Sequence, residues 1–234
     1  MSLAYLAYCN WLLLTRLIYL RRDGPVGLTG AWLAAFQVAG VAALFQWNGA
    51  LFAAVVAIIL FTGLSGWLVE PRGNVGVIQL VALLGLLAAP VISGRELALN
   101  GPAAAGVDAL FGTDANAVRL SVILLELLLL ANEVNLLVRV VFAVCGLVPH
   151  RQDQSLDEEA FNAGRVIGIL ERWLMFLVVL WSDDLNALGF IVAAKGLMRM
   201  EQLKERDFAE YMLVGTLLSV LFAVVVAKWV TGWL

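Results

Sequence analysis

Glu171 and Arg172 stand side by side inside "FNAGRVIGILERWLMFLVVLW" (residues 161–181), a run that turns almost wholly apolar after a small and polar start. An acid and a base carried into such a run need partners, because a charge at mid-bilayer costs about 2.5–3.5 kcal/mol on insertion scales. Arg172 is long enough to reach back to a headgroup layer. Glu171 is shorter, and Lys195 or Arg139 is the partner the sequence offers. Lys195 and Arg199 are one helical turn apart and face the same way. Arg139, Glu171, Arg172, Lys195 and Arg199 therefore form a candidate charge cluster near the inner leaflet, serving either as structural neutralisation or as a gate.

A second group lies in "VRLSVILLELLLLANEVNLLVRVVF" (residues 118–142), which carries Glu126, Asn132, Glu133, Asn135 and Arg139. At about 100° per residue, Arg119, Glu126 and Glu133 share one helical stripe, while Ser121, Asn132, Asn135 and Arg139 share another. Neither stripe suits lipid, so this helix is expected inside a bundle. Intramembrane acids mark pathways and proton relays, which makes Glu126 and Glu133 the candidate groups of a polar path. Asn132 and Asn135 adjoin that path and can also bond neighbouring helices. Arg139, nearer one end, can snorkel, and so can Arg16 in the first apolar run.

These residues need helices to position them, and the composition supplies them. Of 234 residues, 62% are hydrophobic and only 14% charged, with mean hydropathy +0.93. Soluble domains run nearer 45–50% apolar and about 25% charged. An all-α, polytopic transmembrane bundle is the expected fold, as one integral domain over 1–234. At about 20 residues per crossing, eight spans are expected near 2–20, 26–46, 50–69, 75–92, 118–147, 165–181, 185–199 and 210–229. The seventh is short and contains Lys195; if it is re-entrant, seven spans remain. The spans group as 1–92 and 117–234, joined by an Ala/Gly-rich loop, 93–116, that has room for a short interfacial segment.

Local signals end the helices: Arg21 to Pro25, the Trp47-Asn48-Gly49 turn, Pro71, Pro149, and Asp183 or Asp184 as a cap. Ser155-Leu156-Asp157-Glu158 has capping-box spacing. Pro90 marks a kink or a helix end. The first apolar run lacks a basic start and a small-residue cleavage site, and reads as a retained span. Basic residues alternate between loops. Arg21, Arg22, Arg72, Arg151, Arg165, Arg199, Lys204 and Arg206 fall in odd-numbered loops, and Arg95 alone in an even one. The positive-inside rule then puts the odd loops, including 148–164 and 199–209, in the cytoplasm and both termini outside. Trp47, Trp67, Trp181, Trp229 and Trp233 fall near the expected interfaces.

Net charge is −3, and no basic patch points to nucleic acid. His150 is the only histidine and Cys9 and Cys145 the only cysteines; no bis-histidine haem site, metal site or cofactor is expected. Metallopeptidase, nucleophile-elbow, P-loop and dinucleotide motifs are absent from the sequence, so nothing positive points to an enzyme. Gly164 and Gly168 form a GxxxG pair, which permits close helix approach within the chain or in a homo-oligomer. The lipid bilayer is the one firm partner; a membrane complex subunit is the other association open to it.

Three segments, "GRVIGILERW", "ALGFIVAAKGLMRM" and "FAEYMLVGTLLS", occur in that order within residues 162–221. This quarter of the chain resembles the C-terminal half of a family of uncharacterised bacterial polytopic inner-membrane proteins. That family commonly carries an N-terminal His-Leu-Leu-x-Asp-Phe pattern, where this chain reads "LAYLAYCNWLLLTR". The resemblance implies a bacterial inner-membrane location and no established activity. It also implies that Gly164, Glu171, Arg172, Lys195, Glu210 and Tyr211 belong to a shared module. Three functions fit these observations: a channel or transporter for an ion or small solute, a non-transporting scaffold, sensor or effector subunit, and a membrane enzyme acting on lipid or quinone.

Overall fold

The apolar runs fold as helices. The computed structural model describes residues 2–20, 28–68, 75–94, 96–111, 115–146, 158–182, 185–201, 204 and 206–233. Among these the chain is all-helical, with no strand beyond an isolated bridge between Phe45 and Leu99. In chain order the helices are α1 (Leu3–Arg16), α2 (Leu28–Leu44), α3 (Gly49–Leu68), α4 (Val75–Ile92), α5 (Gly101–Phe111), α6 (Ala115–Ala131), α7 (Glu133–Val144), α8 (Glu158–Ser182), α9 (Leu185–Met198) and α10 (Arg206–Trp233). A short 3-10 turn, Leu17–Leu20, follows α1. Two stretches, Asn116–Val144 and Phe208–Gly232, are long and apolar enough to cross a membrane. Residues 155–157 of the expected capping box and the caps Asp183 and Asp184 lie outside the described residues, as do the breaks at 21–27, 69–74 and 147–157, with Pro149 and His150 among them.

Contacts divide the chain into two compact units, Met1–Leu129 and Leu130–Leu234. In the first, α2 packs on α1 and α3, and α3 on α4. Asn48 starts α3 by accepting from the Leu51 amide at 2.9 Å, and Asn100 starts α5 by accepting from Ala103 at 2.9 Å; short amide side chains at these positions satisfy first-turn N–H groups. The stretch expected to be a loop is held in place. Gln46 donates its amide to the Ala98 carbonyl at 2.8 Å, and the Asn100 amide returns to Leu44 at 3.0 Å. α5, within it, packs on α2.

Pro90 sits inside α4. Proline has no N–H to donate to the carbonyl four residues earlier, which here belongs to Leu86. The buried Tyr8 hydroxyl donates to that carbonyl at 2.9 Å, and Tyr5 donates to the next one, Leu87, at 2.8 Å. Tyr8 thus satisfies the carbonyl that the proline releases. Gly40 lets α1 approach α2: a Cβ there would lie 2.1 Å from the Trp11 ring.

In the second unit α10 packs on α7 and α8, and α9 on α8. A Cβ on Gly215 would meet Phe142 at 3.1 Å, and Phe142 stacks on Tyr211 with ring centroids 4.4 Å apart. The expected single span at 118–147 is present as one apolar stretch, Asn116–Val144, with a break in its helix. Asn132 is a turn residue with φ −110° and ψ −53°, and it divides α6 from α7.

Apolar side chains face outward in ordered rows. On α10, Leu213, Leu217, Leu221, Val225 and Trp229 recur every four residues and are each 45–59% exposed. The opposite pattern holds inside, where Arg16, Gln37, Gln79, Glu126, Asn132, Glu133 and Arg172 are buried.

Candidate functional site

The second unit contains a cavity of about 210 Å3. Its charged lining is Glu171, Arg172, Lys195 and Arg199, with hydroxyls from Tyr211, Thr216 and Ser219. Helix periodicity assembles it. Gly164, Gly168 and Glu171 or Arg172 recur at spacings of four and three or four along α8, and so share its face. Lys195 and Arg199 share a face across the end of α9, and Tyr211, Gly215 and Ser219 do the same on α10. Apolar wall comes from Val138 and Phe142 of α7. Every other lining residue falls within 164–173, 187–200 or 208–219, the three segments singled out in the sequence. Ligand pockets for drug-sized molecules run about 300–1,000 Å3, so this cavity suits a small occupant.

The geometry answers how Glu171 and Arg172 are accommodated. Lys195 of α9 donates to the Glu171 carboxylate, forming an ion pair with both side chains 19% exposed. This is one of the two partners the sequence offered. Arg172 departs from expectation. It does not snorkel; it is 4% exposed. Its Nε donates to the Leu130 carbonyl at 2.9 Å and its Nη2 to Asn135 Oδ1 at 2.7 Å. The acceptors are neutral and sit either side of the turn at Asn132, so the interruption between α6 and α7 is where the arginine docks. Arg139 is exposed and does not line the cavity.

The candidate polar path is only partly assembled. Glu126 and Glu133 are buried, at 4% and 3% exposure, whereas Arg119 on the same expected stripe is exposed. Asn132 donates to Glu133 Oε1 at 2.9 Å. Asn135 donates to the Ala131 carbonyl at 3.1 Å and receives Arg172. These carboxamides act as bonds within and between helices. Glu126 makes no hydrogen bond or ion pair among the described residues.

Gly164 does not seat a neighbouring helix: a Cβ there meets nothing within 4 Å, and at Gly168 the only neighbour is Arg172 Nη1 at 3.7 Å. The GxxxG face opens on the cavity instead.

Sequence reasoning missed a buried polar group in the first unit. Arg16, expected to snorkel, is 4% exposed and donates to the Gln79 carbonyl at 3.3 Å. Gln37 of α2, 1% exposed, donates to Thr15 Oγ1 at 2.8 Å, and Trp11 donates to the Gln37 carbonyl at 3.3 Å. The available signal was one glutamine inside each of two strongly apolar runs.

Among the described residues no three His, Cys, Asp or Glu side chains converge as a metal site, and both cysteines are free thiols. The chain matches no family model, no curated protein and no solved structure.

Proposed function

We propose that the chain is a multi-span protein of a bacterial inner membrane, with about eight crossings and both termini outside. In that membrane it acts as a channel or transporter for an ion or small polar solute. The observation that carries the reading is a small charged cavity lined by helices, in a chain whose exposed helix rows are apolar. The α10 row supports the membrane placement by magnitude. Five large side chains about half exposed to water would forgo roughly 4–8 kcal/mol relative to full burial, comparable with the whole stability of many domains. Lipid removes that penalty. In this reading the Glu171–Lys195 pair gates the cavity. Glu126, buried and without a polar partner among the described residues, is the carboxyl able to exchange a proton.

The test is flux. Purified protein in liposomes should pass protons or small ions down a gradient, and Glu126→Gln should change the rate. No flux over a broad set of gradients would refute transport. One observation favours a second reading, a non-transporting scaffold, sensor or effector subunit: Asn132 with Glu133, and Arg172 with Asn135, satisfy each other. Co-purification of a stable membrane partner together with zero flux would select it.

A further inference from the structure

We infer that the cavity of the second unit is a binding site for a phosphate group. The inference rests on the proposed solute cavity and names what it takes.

Charge balance is the first ground. Three cations, Arg172, Lys195 and Arg199, face one carboxylate, Glu171. That carboxylate already receives Lys195. The hydrogen bonds of Arg172 go to neutral oxygens, on Leu130 and Asn135. The Arg199 side chain makes no hydrogen bond or ion pair among the described residues. Guanidinium groups stay charged, so among the described residues two positive charges lack a counter-anion in a wall otherwise built of apolar, small and hydroxyl-bearing residues. For the buried Arg172 an uncompensated charge is costly, and an anion entering the cavity offsets the cost.

Donor geometry is the second ground. Arg172 on α8 and Arg199 at the end of α9 line the same cavity as Tyr211 and Thr216 on α10, whose hydroxyls make no hydrogen bond among the described residues. A carboxylate offers two oxygens, enough for one arginine fork; a tetrahedral phosphate offers three or four to donors arriving from several helices. Size is the third ground. A cavity of about 210 Å3 takes a phosphate with a small substituent. Free phosphate and the headgroup of an anionic lipid share this chemistry.

The experiment is titration calorimetry on the purified full-length chain in detergent, free of phosphate buffer. Inorganic phosphate and dioctanoyl phosphatidic acid are titrated separately, with acetate as the carboxylate control. Two variants accompany the wild type. Arg199→Gln removes a side chain with no structural partner among the described residues. Gly164→Leu projects into open space at the cavity and favours helix. Circular dichroism and size exclusion confirm that both fold.

Binding of either phosphate ligand, weakened about tenfold or more by Arg199→Gln and by Gly164→Leu, is the expected result. Inorganic phosphate binding assigns a soluble source; binding of the lipid alone assigns a headgroup. The inference is overturned if neither ligand binds, if both folded variants bind like wild type, or if acetate binds as tightly. Phosphate binding without flux would refute transport and leave this site standing. Flux without phosphate binding would do the reverse.

Discussion

Removing Asn135 should expose how the buried arginine is held. In Asn135→Leu the side chain keeps its size, but Arg172 loses its 2.7 Å acceptor and retains only the Leu130 carbonyl at 2.9 Å. Hydrogen bonds to charged groups contribute about 1.5–3 kcal/mol in soluble proteins. Interhelical bonds in a membrane bundle average about 0.6 and reach about 1.7. The ionised donor and short distance place this bond near the upper membrane figure, so Asn135→Leu should destabilise by about 1.5 kcal/mol. Arg172→Met removes the charge together with its desolvation cost, and leaves two oxygens without that donor. Once the arginine is gone, Asn135→Leu has no charge left to strand. The double variant should therefore be less destabilised than the sum of the singles by about 1–2 kcal/mol. Reversible unfolding in mixed SDS–detergent micelles, followed by tryptophan fluorescence, measures all three. Additivity within about 0.5 kcal/mol would mean the two residues are not coupled, and would refute the account of how the sixth expected span carries its charge.

Tyr8→Phe should destabilise by about 1–2 kcal/mol, since it strips the Leu86 carbonyl of the donor that replaces Pro90's missing amide. The same change in a Pro90→Ala background should have a clearly smaller effect by the same unfolding assay. Gly40→Ala should cost about 1–3 kcal/mol, because its Cβ would lie 2.1 Å from the Trp11 ring. Gly106→Ala, which meets nothing within 4 Å, should be neutral or stabilising by up to about 1 kcal/mol; equal effects at the two glycines would contradict the α1–α2 packing. A membrane-impermeant maleimide should label the exposed Cys145 in inside-out vesicles and not in intact spheroplasts. The reverse pattern would invert the proposed topology.

Much of the helical layout was legible because apolar runs and their breaks are local properties. The break at Trp47-Asn48-Gly49 and the helix at 185–198 follow from residues a few positions apart. The Glu171–Lys195 pair was half legible for a different reason. A short acid in an apolar run has few places to go, and the sequence offered two, Lys195 and Arg139, without deciding between them. Arg172 and Arg16 were misjudged because a long side chain can reach the headgroups or turn inward with the same stem. What decides is the partner. Here the partners are neutral, a carboxamide and backbone carbonyls, and carry no charge signal in the sequence. The turn at Asn132 was hidden too, since the leucine-rich stretch before it favours continuous helix. Pro90 announced a local defect, but the hydroxyl that repairs it comes from Tyr8, far earlier in the chain. The cavity needed four helices at once, and only their shared faces were readable in advance.

The most direct test of the central claim is the solvent that meets the α10 row. Nitroxide labels placed singly at Leu213, Leu217, Leu221 and Val225 in liposome-reconstituted protein report collisions with oxygen, which concentrates in lipid, and with a water-soluble nickel complex. The account predicts high oxygen and low nickel accessibility at Leu217 and Leu221, with oxygen accessibility falling toward the helix ends. High nickel accessibility at those two central positions would place them in water and contradict it.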